Sequence, residues 1–139
     1  MSVILSLDVG TKRVGLALTN EEGEFPFPFK TYNRAAGEAE SKILLLLEQR
    51  GIELVVVGLP LNVKGDKTEQ CKDVEKFCRR LSKRSKIKIE FVDEHLSSEE
   101  AKERLTEAKG GRISVSDLKA SIDAAAAAVI LEYYLKQKR

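Results

Sequence analysis

The sequence has little of what disulfide-stabilised and zinc-binding proteins depend on. Its 139 residues include two cysteines, one histidine and no tryptophan. Cys71 and Cys78 fall in one predicted helix, where a separation of seven residues places them about 10.5 Å apart along the axis. That distance is too long for a disulfide, and two thiols without histidines make a poor zinc site. We expect both thiols to be reduced, as is usual in the cytoplasm.

Long apolar runs and a strong excess of one charge are also missing. No run approaches the roughly 20 apolar residues of a membrane helix, and the N-terminus does not resemble a secretion signal. We therefore expect a cytoplasmic protein without a membrane segment. The net charge of +2 excludes a general polycation, so nucleic-acid binding would depend on local basic clusters. Such clusters occur at 79–88 and 136–139, where a solvated helix surface is an equally good explanation.

The order of the predicted elements indicates an α/β fold. An apolar content of 42% suits one globular domain over residues 1–139. Turn residues make the first three strands an antiparallel meander, and the later strand–helix–strand connections require parallel, right-handed crossovers. We therefore expect a mixed five-stranded sheet with helices on both faces. The predicted strands are 3–7, 13–19, 24–32, 53–59 and 87–92, and the predicted helices are 35–50, 68–85, 98–109 and 116–136.

Small residues and prolines add detail to this sheet. Gly15 and Ala17 alternate with larger apolar residues in the second strand, which leaves room for a helix on one face. The last predicted helix carries the run Ala124–Ala128, whose small side chains also permit a close approach. Pro26 and Pro28 lack amide donors, so the third strand belongs at a sheet edge.

One carboxylate stands where the first strand meets a glycine turn. Asp8 is followed by Gly10, which permits a positive φ or the close approach of a backbone or phosphate. Thr11 and Lys12 add a hydroxyl and a cation. The alternative is an ordinary hairpin turn with a solvated acid. The pattern also resembles the phosphate-holding hairpin of actin-like and sugar-kinase-like nucleotide binders, although one domain of this length lacks their second half.

Two further acids are expected near the same sheet edge. Glu94 follows the last strand, and ligands bind outside the carboxyl ends of parallel strands. Asp123 lies in the alanine-rich helix, where an acid is costly to bury unless it is paired or binds a metal. Oxygen ligands of this kind suit Mg²⁺ or Mn²⁺, and a metal pair would hydrolyse phosphodiesters. Taken singly, each acid is equally well explained as an ordinary strand-end or helix carboxylate.

Four short motifs occur in a specific order along nearly the entire chain. They are Asp8–Lys12 with Gly15, Val57–Asn62 with Gly65, Asp93–Ser98 and Ile122–Ala126. Together they closely resemble the YqgF/RuvX family of the RNase H-like superfamily, whose members are named as Holliday junction resolvases or pre-16S rRNA nucleases.

The resemblance implies a metal-dependent endonuclease acting in 5′-end processing of pre-16S rRNA in the cytoplasm. It implies that Asp8, Glu94 and Asp123 are catalytic and hold Mg²⁺ or Mn²⁺. We expect a nucleic-acid partner, structured RNA or branched DNA, and a monomer or homodimer. The residues expected to contact the substrate are Gly10, Thr11, Lys12, Arg13, Asn62, His95 and Arg112.

The sequence departs from the family pattern where substrate would be held. His95 replaces a usual arginine, and only a protonated histidine is cationic. Ser121 replaces a frequent lysine, with Lys119 in the same helical turn, and the loop after Asn62 is longer. Two other functions stay open: a dimeric Holliday junction resolvase and a non-catalytic RNA-binding assembly factor. The acids argue against the last, because carboxylates repel phosphates unless a metal intervenes.

Overall fold

A computed structural model describes residues 3–62, 64–93 and 115–138, with side chains of the last range described from residue 122. One five-stranded sheet has the order β3-β2-β1-β4-β5. Its strands are β1 (Ile4–Val9), β2 (Arg13–Thr19), β3 (Pro26–Asn33), β4 (Leu54–Leu59) and β5 (Lys88–Asp93). The described α-helices are α1 (Glu38–Arg50), α2 (Glu69–Ser85) and α3 (Val115–Gln137).

The sheet is mixed, as the order of elements predicted. β2 pairs antiparallel with β1 and with β3, whereas β4 pairs parallel with β1 and with β5. The proline-containing strand β3 lies at one edge, which confirms the position inferred from Pro26 and Pro28. β1 is therefore central, with an antiparallel neighbour on one side and a parallel neighbour on the other.

One face of the sheet carries the larger apolar core. Leu5, Leu7 and Val9 of β1 alternate towards this face and are fully or almost fully buried. They belong to one cluster with Ile43 of α1 and Phe77 of α2. Both helices therefore cover the same side of the sheet, and burial of their apolar stripes is the main stabilising term there.

The opposite face is covered by α3, which packs closely because small residues line the contact. Ala17 of β2 is completely buried and packs with Ala127 and Leu131 of the helix. At Gly15, an added Cβ would lie only 2.0 Å from the carbonyl oxygen of Asp123. The prediction that small residues on β2 make room for a helix is confirmed.

Some predicted boundaries were wrong. β1 continues to Val9, so Asp8 lies within the strand and not after its end. The predicted helix 35–50 is divided, because Ala36 and Gly37 have positive φ values of 55° and 72° and separate a short 3₁₀ turn from α1. The predicted helix 98–109 lies outside the described residues.

The two cysteines are free, as expected, and both are buried. Both lie on the apolar side of α2, and burial raises the pKa of the Cys78 thiol to about 12. A thiol with so high a pKa stays protonated and unreactive near neutral pH. Among the described helices, none combines the length and the apolarity that a bilayer crossing requires.

Replacing Gly15 by alanine should strongly destabilise the protein. The new methyl group would overlap the α3 backbone, which cannot move aside as a flexible side chain could, and overpacking of this kind costs about 3 kcal/mol. Gly65→Ala is the matched control, since Gly65 has open space but a φ of +81° and should cost only about 1–2 kcal/mol. Urea unfolding measures both variants. Equal losses would show that the close β2–α3 contact is not a packing constraint.

Candidate active site at the carboxyl end of β1

Asp8 lies on the α3 face of the central strand. Alternate residues of a strand share a face, and Ser6, two residues earlier, donates a hydrogen bond from Oγ to the carbonyl oxygen of Ala127 in α3 at 2.5 Å. Asp8 is directly opposite Gly15 in the β1–β2 ladder. Its side chain is only partly buried, which leaves the carboxylate at the accessible end of this face.

The last helix brings Asp123 to the same place. The hydrogen bond of Ser6 shows that β1 contacts α3 at Ala127. Asp8 lies two residues, or about 6.8 Å, further along the strand. Four residues back along α3, a rise of about 6 Å, lead from Ala127 to Asp123. The backbone of Asp123 lies against Gly15, the ladder partner of Asp8. The two carboxylates predicted from sequence therefore occupy neighbouring positions on one face.

Arg13 brings a positive charge to these two acids. It begins β2 two residues before Gly15, so both residues share the α3 face. Its Nε donates to Oδ2 of Asp123 at 2.7 Å, and the two side chains are 34% and 23% exposed. Sequence reasoning assigned Arg13 to substrate phosphate. The structure shows it bonded to a proposed metal ligand, which the sequence did not reveal.

Gly10 stabilises the turn between β1 and β2 by a hydrogen bond within the turn. Its N–H donates to the carbonyl oxygen of Arg13 at 2.8 Å, and an added Cβ would lie 2.9 Å from that oxygen. The φ of Gly10 is outside the left-handed region. The sequence analysis gave two possible reasons for a glycine at position 10, a positive φ or the close approach of another group. The close approach of the Arg13 carbonyl oxygen is the one that applies.

Arg34 clamps this turn from outside. Its Nη1 donates to the carbonyl oxygen of Gly10 at 2.7 Å, and its backbone N–H donates to the carbonyl oxygen of Lys12 at 2.9 Å. The same guanidinium forms two bonds to the carboxylate of Asp73 in α2, at 2.6 and 3.2 Å. It also lies 5.1 Å from the ring centre of Phe77, within cation–π range. The turn is thereby fixed to α2.

The bond from Arg34 favours the ionised form of Asp73. The hydrogen bond from Arg34 is the main cause that lowers the pKa of the Asp73 carboxyl below its ordinary value, against a smaller opposing effect of desolvation. Arg34 and Asp73 were missed by sequence reasoning. Arg34 directly follows the edge strand β3, and Asp73 lies 39 positions later in α2. No spacing pattern in the sequence indicates that residues so far apart are in contact.

The other predicted site residues have varied positions. Thr11 and Lys12 are exposed at the tip of the turn, where a substrate could reach them. Asn62 caps its own loop, because its Oδ1 accepts hydrogen bonds from the N–H groups of Lys64 and Asp66, both at 2.9 Å. Its contact with substrate stays a prediction. Glu94, His95, Arg112, Lys119 and Ser121 lie outside the described residues or side chains.

The basic segment in α2 is partly neutralised within the protein. Arg80 and Arg84 both bond to Glu40 of α1, at 3.1 and 2.6 Å. These pairs link the two helices that cover the larger core. They favour the surface explanation for this part of the 79–88 cluster over a free phosphate-binding patch.

The donor set fits a hard divalent cation. Asp8 and Asp123 offer carboxylate oxygens from neighbouring positions, and the bond from Arg13 shows that a cation is accommodated at Asp123. In the ranges 3–62, 64–93 and 115–138, no three acids, histidines or cysteines are grouped so that they could hold a metal. The described part of the chain thus supplies two of the three predicted carboxylates, and Glu94 would have to supply the third.

Comparison with solved structures defines the class of fold. Over 98% of this chain and 96% of the other, the structure superposes on Thermus thermophilus RuvC with a TM-score of 0.60 at 14% identity. The same protein in complex with a Holliday junction substrate gives 0.58 over 99% and 96%, also at 14% identity. The fold is therefore RNase H-like, as the motifs implied.

Comparison with sequences identifies the family. The family described as "RuvX: Holliday junction resolvase" matches residues 2–137, and the chain belongs to it. Curated relatives named "Putative pre-16S rRNA nuclease" include one from Chloroflexus aurantiacus, 36% identical over 99% of this chain and 88% of its own length. Another, from Maridesulfovibrio salexigens, is 38% identical over 95% and 96%.

Asp73→Asn should remove an acid-sensitive contribution to stability. A carboxyl whose pKa is lowered by folding stabilises the protein above its unfolded pKa, near 3.8, and this stabilisation is lost as the pH falls through the lower folded value. Asp73 is 38% exposed, so solvent screening limits the expected loss at pH 7 to about 1 kcal/mol.

The measurement is urea unfolding of wild type and Asp73→Asn at pH 7, 5 and 3. The stability difference should be largest at pH 7 and should shrink at pH 3. A difference that stays constant with pH, or grows as the pH falls, would contradict the Arg34–Asp73 assignment.

Proposed function

We propose that this protein is a divalent-metal-dependent endonuclease that hydrolyses phosphodiester bonds in precursor 16S rRNA, at its 5′ end. The observation that carries the proposal is the placement of Asp8 and Asp123 on one face, where Gly15 of β2 pairs with Asp8 and contacts the backbone of Asp123. Carboxylates at neighbouring positions repel each other and repel phosphate, unless cations neutralise them.

Membership of the RuvX family supports the nuclease class, and the RNase H-like fold supplies the scaffold. The choice of rRNA comes from the names of the curated relatives. We propose that the protein acts in the cytoplasm during ribosome biogenesis, where its free, buried cysteines suit a reducing compartment.

In the proposed mechanism, Asp8, Asp123 and Glu94 would hold Mg²⁺ or Mn²⁺. The bound metal would supply Lewis acidity, both to activate water and to stabilise the leaving oxygen. The protein's own contribution is to position the carboxylates. The Ser6–Ala127 bond and the Gly15 contact fix the two acids relative to each other, and rigid support of this kind is what metal sites require.

The substrate strand would approach over the tip of the β1–β2 turn. Thr11 and Lys12 are exposed there and would bind phosphate oxygens through a hydroxyl and an ammonium group. Arg34 would act indirectly, because it holds the turn by the carbonyl oxygens of Gly10 and Lys12. His95 and Arg112 complete the proposed set of phosphate contacts, with Asn62 at the loop that follows β4.

Asp8→Asn and Asp123→Asn should each lower the rate of precursor cleavage at least 100-fold. Loss of one carboxylate removes part of a metal site that contributes several kcal/mol to transition-state stabilisation, and each 1.36 kcal/mol is about tenfold in rate. The assay incubates precursor 16S rRNA with Mn²⁺ and follows the new 5′ ends. Glu21→Gln is the control, since Glu21 is exposed in the turn at the other end of β2 and should cleave at the wild-type rate.

Equal cleavage by wild type and Asp8→Asn would refute the assignment of the active site. Folded wild-type protein that binds precursor rRNA and never cleaves it, with either metal, would instead favour the non-catalytic assembly factor.

Cleavage of Holliday junctions is the second candidate, because it is the activity in the description of the matching family. Symmetric cutting of two strands requires a two-fold dimer. If the protein is a resolvase, light scattering should show two chains per four-way junction, and paired nicks should appear at symmetric positions. A monomer on junction DNA, with cleavage confined to precursor rRNA, would exclude this function.

A further inference from the structure

The bond between Arg13 and Asp123 joins two residues that sequence reasoning gave to different partners. Nε of Arg13 donates to Oδ2 of Asp123 at 2.7 Å, although Asp123 is a proposed metal ligand and Arg13 a proposed phosphate contact. The two side chains are only 34% and 23% exposed, so the pair is partly shielded from water. An ion pair in such a position is stronger than one on an open surface.

The surroundings of Asp123 explain why a cation is needed there. The next four residues of α3, Ala124–Ala127, are buried alanines, whose side chains offer no hydrogen-bond donor. Asp8 contributes negative charge from the facing strand. A carboxylate beside another carboxylate and an apolar helix face is unfavourable without a counter-ion. Arg13 supplies that charge in the structure described here.

A divalent cation bound by Asp8 and Asp123 would also neutralise the negative charge of Asp123. Both cations would then be within a few ångströms of one carboxylate, where like charges repel strongly. Arg13 begins β2 directly after the exposed turn of Thr11 and Lys12. Its long, flexible side chain starts at the edge where the substrate strand is expected. The guanidinium could therefore bind a substrate phosphate in place of Asp123.

We propose that Arg13 is an exchangeable counter-ion: it neutralises Asp123 in the metal-free protein and, when a divalent cation binds, releases the carboxylate and binds a substrate phosphate. This inference rests on the proposed function, because it assumes the metal site at Asp8 and Asp123. It adds an order of events, in which metal binding frees the guanidinium and so prepares the site for nucleic acid.

The exchange predicts effects of opposite sign for Arg13→Gln. Removing the competing positive charge should tighten Mn²⁺ binding, by about tenfold. Removing a phosphate contact should weaken nucleic-acid binding at saturating Mn²⁺ and reduce the salt dependence of that binding by about one unit of slope. A residue that only supports the fold would weaken both, or change neither.

The first test titrates the full-length protein with Mn²⁺ and follows the free ion by electron paramagnetic resonance. Arg79→Gln is the matched control, because Arg79 is exposed on α2 and its loss changes the net charge by the same amount. Wild type and Arg79→Gln should agree within about twofold, whereas Arg13→Gln should bind about tenfold more tightly. Unchanged or weaker Mn²⁺ binding by folded Arg13→Gln would overturn the exchange.

The second test needs no loss-of-charge variant. In a ¹⁵N NMR spectrum of wild type, the Nε–H of Arg13 should be protected from exchange with water in the metal-free protein and lose that protection at saturating Mg²⁺. Arg13→Lys, which lacks this group, assigns the signal. Protection that persists at saturating Mg²⁺ would show that Arg13 stays on Asp123 and would overturn the inference.

Failure of the metal site itself has a different signature. If wild type and Asp8→Asn bind Mn²⁺ equally, the ion is not held at Asp8, and the proposed function fails together with the exchange. If Asp8→Asn loses Mn²⁺ while Arg13→Gln behaves as wild type, the metal site stands and only the exchange is wrong.

Discussion

The contact between Gly15 and the α3 backbone determines the geometry of this site. The carbonyl group of Asp123 occupies the space that a side chain at position 15 would need. Because Gly15 is the ladder partner of Asp8, the same contact sets the distance between the two acids. The close packing of α3 on Gly15 thus also determines how the two candidate catalytic acids are placed.

Two further sets of bonds keep this arrangement in register. On the α3 side, the buried Ser6 hydroxyl bonds to the carbonyl oxygen of Ala127, which fixes where the helix lies along β1. On the other side, Arg34 joins the Gly10 turn to Asp73 of α2. The strand end that carries Asp8 is therefore held from both layers of helices, as a site that must place oxygens accurately requires.

Much of this fold follows from local patterns in the sequence. Alternation in β2, with Gly15 and Ala17 on one face, predicted a helix close to the sheet, and the alanine run beginning at Ala124 predicted which helix. The prolines of β3 predicted its edge position. These features are visible because they repeat over a few neighbouring residues and reflect burial on one face. The convergence of Asp8 and Asp123 followed from the same patterns and from the motifs of the family.

The interactions that tune the site were not predictable in this way. Arg34, Gly10 and Asp73 come together only after the chain has folded, and an arginine beside an edge strand has no distinctive sequence signal. Arg13 was expected to contact substrate phosphate, whereas its bond to Asp123 depends on the crossing of β2 and α3. The roles of Glu94, His95 and Arg112 remain predictions from the sequence.

We propose that Asp8 and Asp123 share one divalent cation. The most direct measurement is an anomalous difference map from crystals of the full-length protein grown in Mn²⁺. A shared cation would give a peak within bonding distance of one carboxylate oxygen from each aspartate, with the Arg13 guanidinium displaced from Asp123. Saturating Mn²⁺ with no peak between the two aspartates, and with Arg13 still bonded to Asp123, would contradict it.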